Sequence, residues 1–205
     1  MVLTIGHSNH SLEVFLELLT RHHVTVVADV RSAPYSRFNS QYNREALSET
    51  LKTSAIRYVF LGRELGGRSD DPSCYEQGRI RYDQLAATPS FRRGLERVER
   101  GMANYRIALM CAEKDPLHCH RTLLVGHHLV ERGVDVAHIL EDGRLETQAS
   151  AMDRLLAELG IEDDRQMALP LRPRAELVSD AIMCQAERVG HAKEQTLNSR
   201  SQDVR

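Results

Sequence analysis

The eleven residues Cys111-Ala112-Glu113-Lys114-Asp115-Pro116-Leu117-His118-Cys119-His120-Arg121 hold two thiols, imidazoles, carboxylates and a guanidinium. A cysteine is a nucleophile or a metal ligand only as its thiolate, and a helix N-terminus or a neighbouring cation favours that form. Cys119 meets both conditions, since it stands at the predicted start of a helix running to about Arg132 and is followed by His120 and Arg121. Cys111 closes an apolar strand upstream of it. The pair therefore reads as a reactive thiol or a redox couple, set against the plainer reading of two half-buried cysteines in a turn. The spacing Cys-x7-Cys-His also admits a metal, with Cys111, Cys119, His120 and His7 as ligands. Structural zinc sites pair their ligands two to four residues apart and repeat the pair. That repetition is missing, so no metal ligand is assigned and the cofactor stays open.

Acid–base chemistry next to a thiol needs carboxylates, and Asp29, Glu64 and Glu113 are the candidates. Together with Cys111 and Cys119 they make up the expected catalytic set. Arg31, Arg37 and Arg121 could hold an anion such as phosphate or sulfate, because guanidinium groups and helix N-termini both recognise oxyanions. The same arginines could instead pair with Asp29, Glu64 and Glu113 as a structural network. His7, His120, Gly66 and Gly67 complete the expected binding set, the glycines by positive φ or by close backbone approach to a ligand. Neither a dinucleotide fingerprint nor a P-loop is present. His127 and His128 sit mid-helix among leucines, and Cys74 and Cys184 stand alone, so none of these is assigned a role.

The elements that must carry these side chains follow from the apolar pattern. Strands are expected at Val2–Gly6, Val24–Val30, Ile56–Leu61, Ile107–Cys111 and His138–Leu140, the last entering a hairpin-like turn at Glu141-Asp142-Gly143. Helical spacing is read after Ser8 or Ser11, which could cap it, near Arg44–Lys52, near Ser90–Arg100 and from Cys119. Arg68–Arg79 reads as a long loop, Ala175–Val189 as one more helix, and the tail from about Gly190 as polar and loose. Strands alternating with helices imply a single α/β domain, with a mainly parallel sheet of four to five strands and helices on both faces. The α/β core is expected over 1–160, with a helical extension and polar tail over 161–205. Ligands of such folds bind beyond the carboxyl ends of the strands. Gly6-His7, Asp29-Val30-Arg31, Glu64-Leu65-Gly66 and Cys111-Ala112-Glu113 all fall there.

The stretches TIGHSNHSLEVFLELL, VVADVRSAPYSRFN, YVFLGRELGG and ALMCAEKDPLHCHR resemble, in order and spacing, the family catalogued as domain of unknown function 488. The resemblance runs from about Thr4 to His128, and CAEKDPLHCHR is its most specific part. Arg63 stands where that family has a proline before ELGG, and Ser40 where a proline is common after SRFN. The resemblance implies one common α/β fold and a shared site, and brings no reaction with it. The Asp-Val-Arg element and a late strand ending at cysteine are also similar to rhodanese-type sulfurtransferases, although CAEKDPLHCHR is longer than their compact loop.

With 27 Lys and Arg against 29 Asp and Glu, the net charge of −2 excludes a global field for nucleic acid. Nucleic acid is a lesser alternative, resting on Tyr35, Phe38 and Tyr42 beside Arg37. No run reaches the roughly 18–20 apolar residues of a membrane span, and no signal peptide is read, so the expected location is the cytoplasm. The function expected is an enzyme, either a thiol-dependent transferase or a hydrolase, acting on a small or nucleotide-like anion. The alternative is a metal-binding or redox-sensing module built on Cys111, Cys119 and His120. No feature of the sequence sets an oligomeric state.

Overall fold

A computed structural model describes residues 1–161 and 172–190. In chain order its strands are β1 (Val2–Gly6), β2 (Val26–Asp29), β3 (Arg57–Phe60), β4 (Tyr75–Glu76), β5 (Arg79–Ile80), β6 (Ile107–Cys111), β7 (Val136–Ile139) and β8 (Leu145–Thr147). The helices are α1 (Leu12–Arg21), α2 (Arg44–Thr53), α3 (Gly62–Leu65), α4 (Tyr82–Ala87), α5 (Pro89–Met102), α6 (His127–Glu131), α7 (Gln148–Glu158) and α8 (Arg174–Val189). Six strands form one sheet in the order β3-β2-β6-β1-β7-β8, and β4 and β5 make a separate hairpin. The first five strands of that order pair in parallel, and β8 runs antiparallel to β7.

Every residue of β1, β2, β6 and β7 is buried, which explains why their sequences are nearly continuous apolar runs, interrupted by Thr4, Asp29 and His138, rather than alternating ones. Successive side chains feed two separate cores. Ala108 and Met110 of β6 join Leu3, Ile5, Phe15, Leu19, Leu47 and Leu51 beneath α1 and α2. Leu109 and Cys111 point the other way, into the larger core beneath α4, α5, α6, α7 and α8. Ser11, not Ser8, caps α1, its Oγ accepting the Val14 N–H at 3.4 Å.

The four to five strands expected become six. Leu145–Thr147 is three residues long and alternates between exposed and half-buried, so it carries no apolar signal, yet it closes the hairpin whose turn was anticipated at Glu141-Asp142-Gly143. Gly143 takes φ of +80° in that turn. The expected loop Arg68–Arg79 is partly ordered by an Asp71-capped turn at Pro72–Cys74 and by the β4–β5 hairpin. Helix α7 was not anticipated, although its Ala151, Met152, Leu155 and Leu156 are buried at helical spacing. Helix α8 matches the expected Ala175–Val189, while the tail after Gly190 lies outside the described residues. No helix among the described residues is long and apolar enough to cross a membrane.

Candidate functional site

The two central strands diverge in where their chain goes next. From β1 it leaves for α1 and β2 on one side, and from β6 it crosses to β7 on the other. Such a switch point opens a crevice at the carboxyl ends of the strands. Cys111 ends β6 there, and its carbonyl accepts the His7 N–H at 2.9 Å. The loop beyond folds back tightly. Asp115 accepts the Leu117 N–H at 2.9 Å, and Pro116 starts a short 3₁₀ turn ending before Cys119. The buried Arg121 guanidinium donates to the carbonyls of Glu113 at 2.6 Å and Lys114 at 3.1 Å. A Cβ at Gly6 would collide with that Glu113 carbonyl, so β1 must be bare there for the loop to close.

This folding brings together Cys111, Cys119, His120 and Glu113. The ligand atoms of Cys111, Cys119 and His120 all lie within 4.8 Å of one another, and all three residues are buried. Both thiols reach Glu113 Oε2 at 2.9 Å. His120 Nδ1 lies 3.7 Å from the Cys111 sulfur and 3.9 Å from that of Cys119. The other ring nitrogen, Nε2, is 3.0 Å from the Val30 carbonyl at the end of β2. A carbonyl only accepts, so Nε2 carries a hydrogen and Nδ1 is the nitrogen turned to the sulfurs.

The two thiols are driven apart in pKa. Burial pushes Cys111 well up, and its hydrogen bond with Cys119 and the charges of Cys119 and Glu113 push the same way. Burial also pushes Cys119 up, but the hydrogen bond from Cys111, the Arg121 charge and His120 outweigh it and hold it well below the usual thiol range. The Arg121 N–H, 3.5 Å from the Cys119 sulfur, adds the backbone donor anticipated at the start of the helix. Glu113 is raised, first by burial and then by Cys119. His120 is raised against its burial by the hydrogen bond and charge of Cys119.

The remaining expected residues fall elsewhere or serve the frame. Asp29 is fully buried and bound to Arg31, with Oδ1 to Nε at 2.9 Å and Oδ2 to a terminal nitrogen at 2.6 Å, and it accepts from Tyr58 at 2.6 Å. Arg31 also donates to the Tyr42 carbonyl at 2.8 Å. His7 uses Nδ1 on the Ser8 carbonyl at 2.8 Å and Nε2 on Arg31 at 3.3 Å, which leaves it no nitrogen for a metal. Its neutral form is held by burial and the Arg31 charge, with a pKa of about 4. Glu64 is ion-paired with Arg97 of α5 and lines a neighbouring cleft instead. Arg37 is exposed on the loop after β2. The three arginines expected to share one anion thus have different surroundings: Arg31 meets Asp29, Arg121 meets loop carbonyls, and Arg37 faces solvent. Gly66 and Gly67 are not among the residues of positive φ. Their close approach is to the protein itself, since a Cβ at Gly67 would stand 2.9 Å from the His120 ring and one at Gly66 would press on Ser32 Oγ at 2.5 Å.

A cleft of about 370 Å³ opens onto Cys111, Glu113 and His120, walled by Arg31, Ser32, Tyr35 and Arg68. Ser32 of this wall carries no sequence signal, and Arg68 is read from the sequence only as part of an Arg-rich loop for nucleic acid. A larger groove of about 1220 Å³ passes Glu113 on its other side. Its charges are largely matched to one another, Lys114 with Glu141 and Arg154 with Asp115 and Glu146, so the smaller cleft is the one tied to the sulfurs.

Fold and site together define an α/β protein with a parallel sheet and a Cys/Cys/His cluster at its switch point. The chain belongs to the family described as Domain of unknown function DUF488, whose model matches residues 11–127, more than half of its length. No curated protein and no solved structure matches the chain.

Proposed function

We propose that this chain is a metalloprotein in which Cys111, Cys119 and His120 bind a zinc-type transition metal ion, with Glu113 beside the ion at the mouth of the cleft. The observation that carries the reading is the His120 ring, fastened through Nε2 to the Val30 carbonyl so that Nδ1 faces both sulfurs. Metal-bound histidines are commonly oriented by such a bond from the second nitrogen. Two sulfurs and one nitrogen suit zinc, and three protein ligands with one side open to a cleft fit a catalytic site better than a closed structural one. A metal there would supply Lewis acidity. Glu113, 2.9 Å from both sulfurs, would be the residue placed beside such an ion for proton transfer. The small anionic substrate expected from the sequence would enter this cleft, where Arg68 is part of the wall.

Elemental analysis of the native protein, purified without chelator, is expected to find close to one metal per chain, lost in Cys111→Ser and Cys119→Ser. Absence of metal, with no uptake of added zinc or cobalt, overturns the reading. The shared Glu113 contact and the opposite pKa directions of the thiols favour a second reading, a dithiol redox pair with Cys119 as the attacking thiolate. Metal-free protein whose Cys119 alkylates far faster than Cys74 and Cys184 near neutral pH would establish that alternative.

A further inference from the structure

Two buried glutamines beyond the region matched by the family model reach back to the loop that carries Cys119 and His120. Gln148, the first residue of α7, donates from Nε2 to the Thr122 carbonyl at 3.2 Å. Gln185 of α8 donates from Nε2 to the Leu117 carbonyl at 3.0 Å. The two acceptors flank the Cys119–His120 dipeptide, one on each side. Both glutamines are 5% exposed, and Gln185 lies in the stripe Leu177, Ala181, Ile182 and Ala186 that seats α8 on the core.

Residues 121–126 wind as a wide π-type turn, a form that departs from regular helical hydrogen bonding and is frequent at functional sites. The Gln148 side chain is buried and also interacts with the His138 ring, raising its pKa against the burial that lowers it. The bond to Thr122 and the interaction with the buried His138 both call for an amide at this position. Gly126 makes room for it, as a Cβ there would stand 2.8 Å from Gln148 Oε1.

We infer that Gln148 and Gln185 are positioning residues that clamp the Cys119–His120 dipeptide in register with Cys111. For its metal readout this rests on the proposed metal centre. The clamp itself is a statement about backbone placement and can be read without metal.

The test uses the full chain with Gln148→Met, Gln185→Met and the double substitution, which keep length and remove the donor, and with Gly126→Ala as an independent way to displace Gln148. Cobalt(II) affinity against a competing chelator, the thiolate-to-cobalt absorption band, and site-resolved alkylation of Cys119 in metal-free protein are compared at matched folded fraction. Each single change is expected to weaken cobalt binding by about 10-fold and the double by about 100-fold, with a displaced band and about 10-fold faster alkylation. Gly126→Ala should behave as Gln148→Met does, and combining the two should add little. If the wild type binds no cobalt, the metal reading falls while the alkylation rates still decide the clamp. An unchanged band, affinity and alkylation rate in the double variant would reduce both glutamines to packing. Should the double variant fail to fold, the singles and Gly126→Ala carry the same comparison.

Discussion

A buried imidazole with one nitrogen committed to a backbone carbonyl has a single lone pair to offer, and the surrounding chain decides where it points. For His120 that chain is β2 through Val30 and the glycine at position 67, which lies against the ring. His138 shows the opposite use of a buried histidine. It is fully buried on β7, its Nδ1 lies 2.8 Å from Thr4 Oγ1, and burial together with the Arg121 charge lowers its pKa to about 3. Its native pKa is below its unfolded value of 6.5, so on acidification the unfolded chain takes the proton first. The stability contributed by neutral His138 is therefore complete above pH 6.5 and is lost as the pH falls towards 3. The loss should run at about 1.4 kcal/mol per pH unit for this one group. Urea titrations between pH 4 and 8 should show a stability slope shallower by about one proton in His138→Gln, and an identical slope would disprove the assignment.

At the scale of elements, the long buried strands were legible because burial on both faces leaves nothing to alternate, as in Ile107–Cys111. The start of the helix near Cys119 was legible as well, but not its wide winding or its contact with Gln148, which lies 26 positions from Thr122. β8 was illegible for a related reason: three residues of mixed burial acquire a strand conformation only from β7 beside them. Arg31 and Arg121 were expected to hold an anion, yet sequence cannot distinguish an arginine that awaits an anion from one already matched to Asp29 or to carbonyls. Close contacts between elements are the part that spacing hides, and Gly6 is the sharpest case. Gly6→Ala would drive a methyl group into the Glu113 carbonyl where β1 meets the loop after β6. Overpacking of this kind costs about 1–3 kcal/mol, and a loss in that range by chemical denaturation, with weaker metal retention, is expected. Wild-type stability and metal content in this variant would show the loop to be freer than its contacts imply.

For the whole molecule, the division into a core over 1–160 and an extension beyond it is a proposal that α8 lets one test. That helix buries Leu177, Ala181, Ile182 and Ala186 against the larger core. A chain ending at Ile161 is expected to retain its far-ultraviolet spectrum, to melt about 10 °C lower, and to bind an apolar dye at the surface laid bare. Equal melting temperatures would make α8 a passenger, and an unfolded product would make it part of the core.

The sheet order has a consequence for how this protein can be divided. β1 lies between β6 and β7, near the middle of the sheet, yet residues 2–6 fall before the stretch 11–127 by which the family is matched. Excised as a cassette, that stretch would keep every donor of the cysteine cluster. It would also present β6 with a full row of bare amides and carbonyls, which is the template on which sheets of separate chains zip together. The portable unit for grafting or expression is therefore set by strand neighbours, and it must begin at the first residues of the chain.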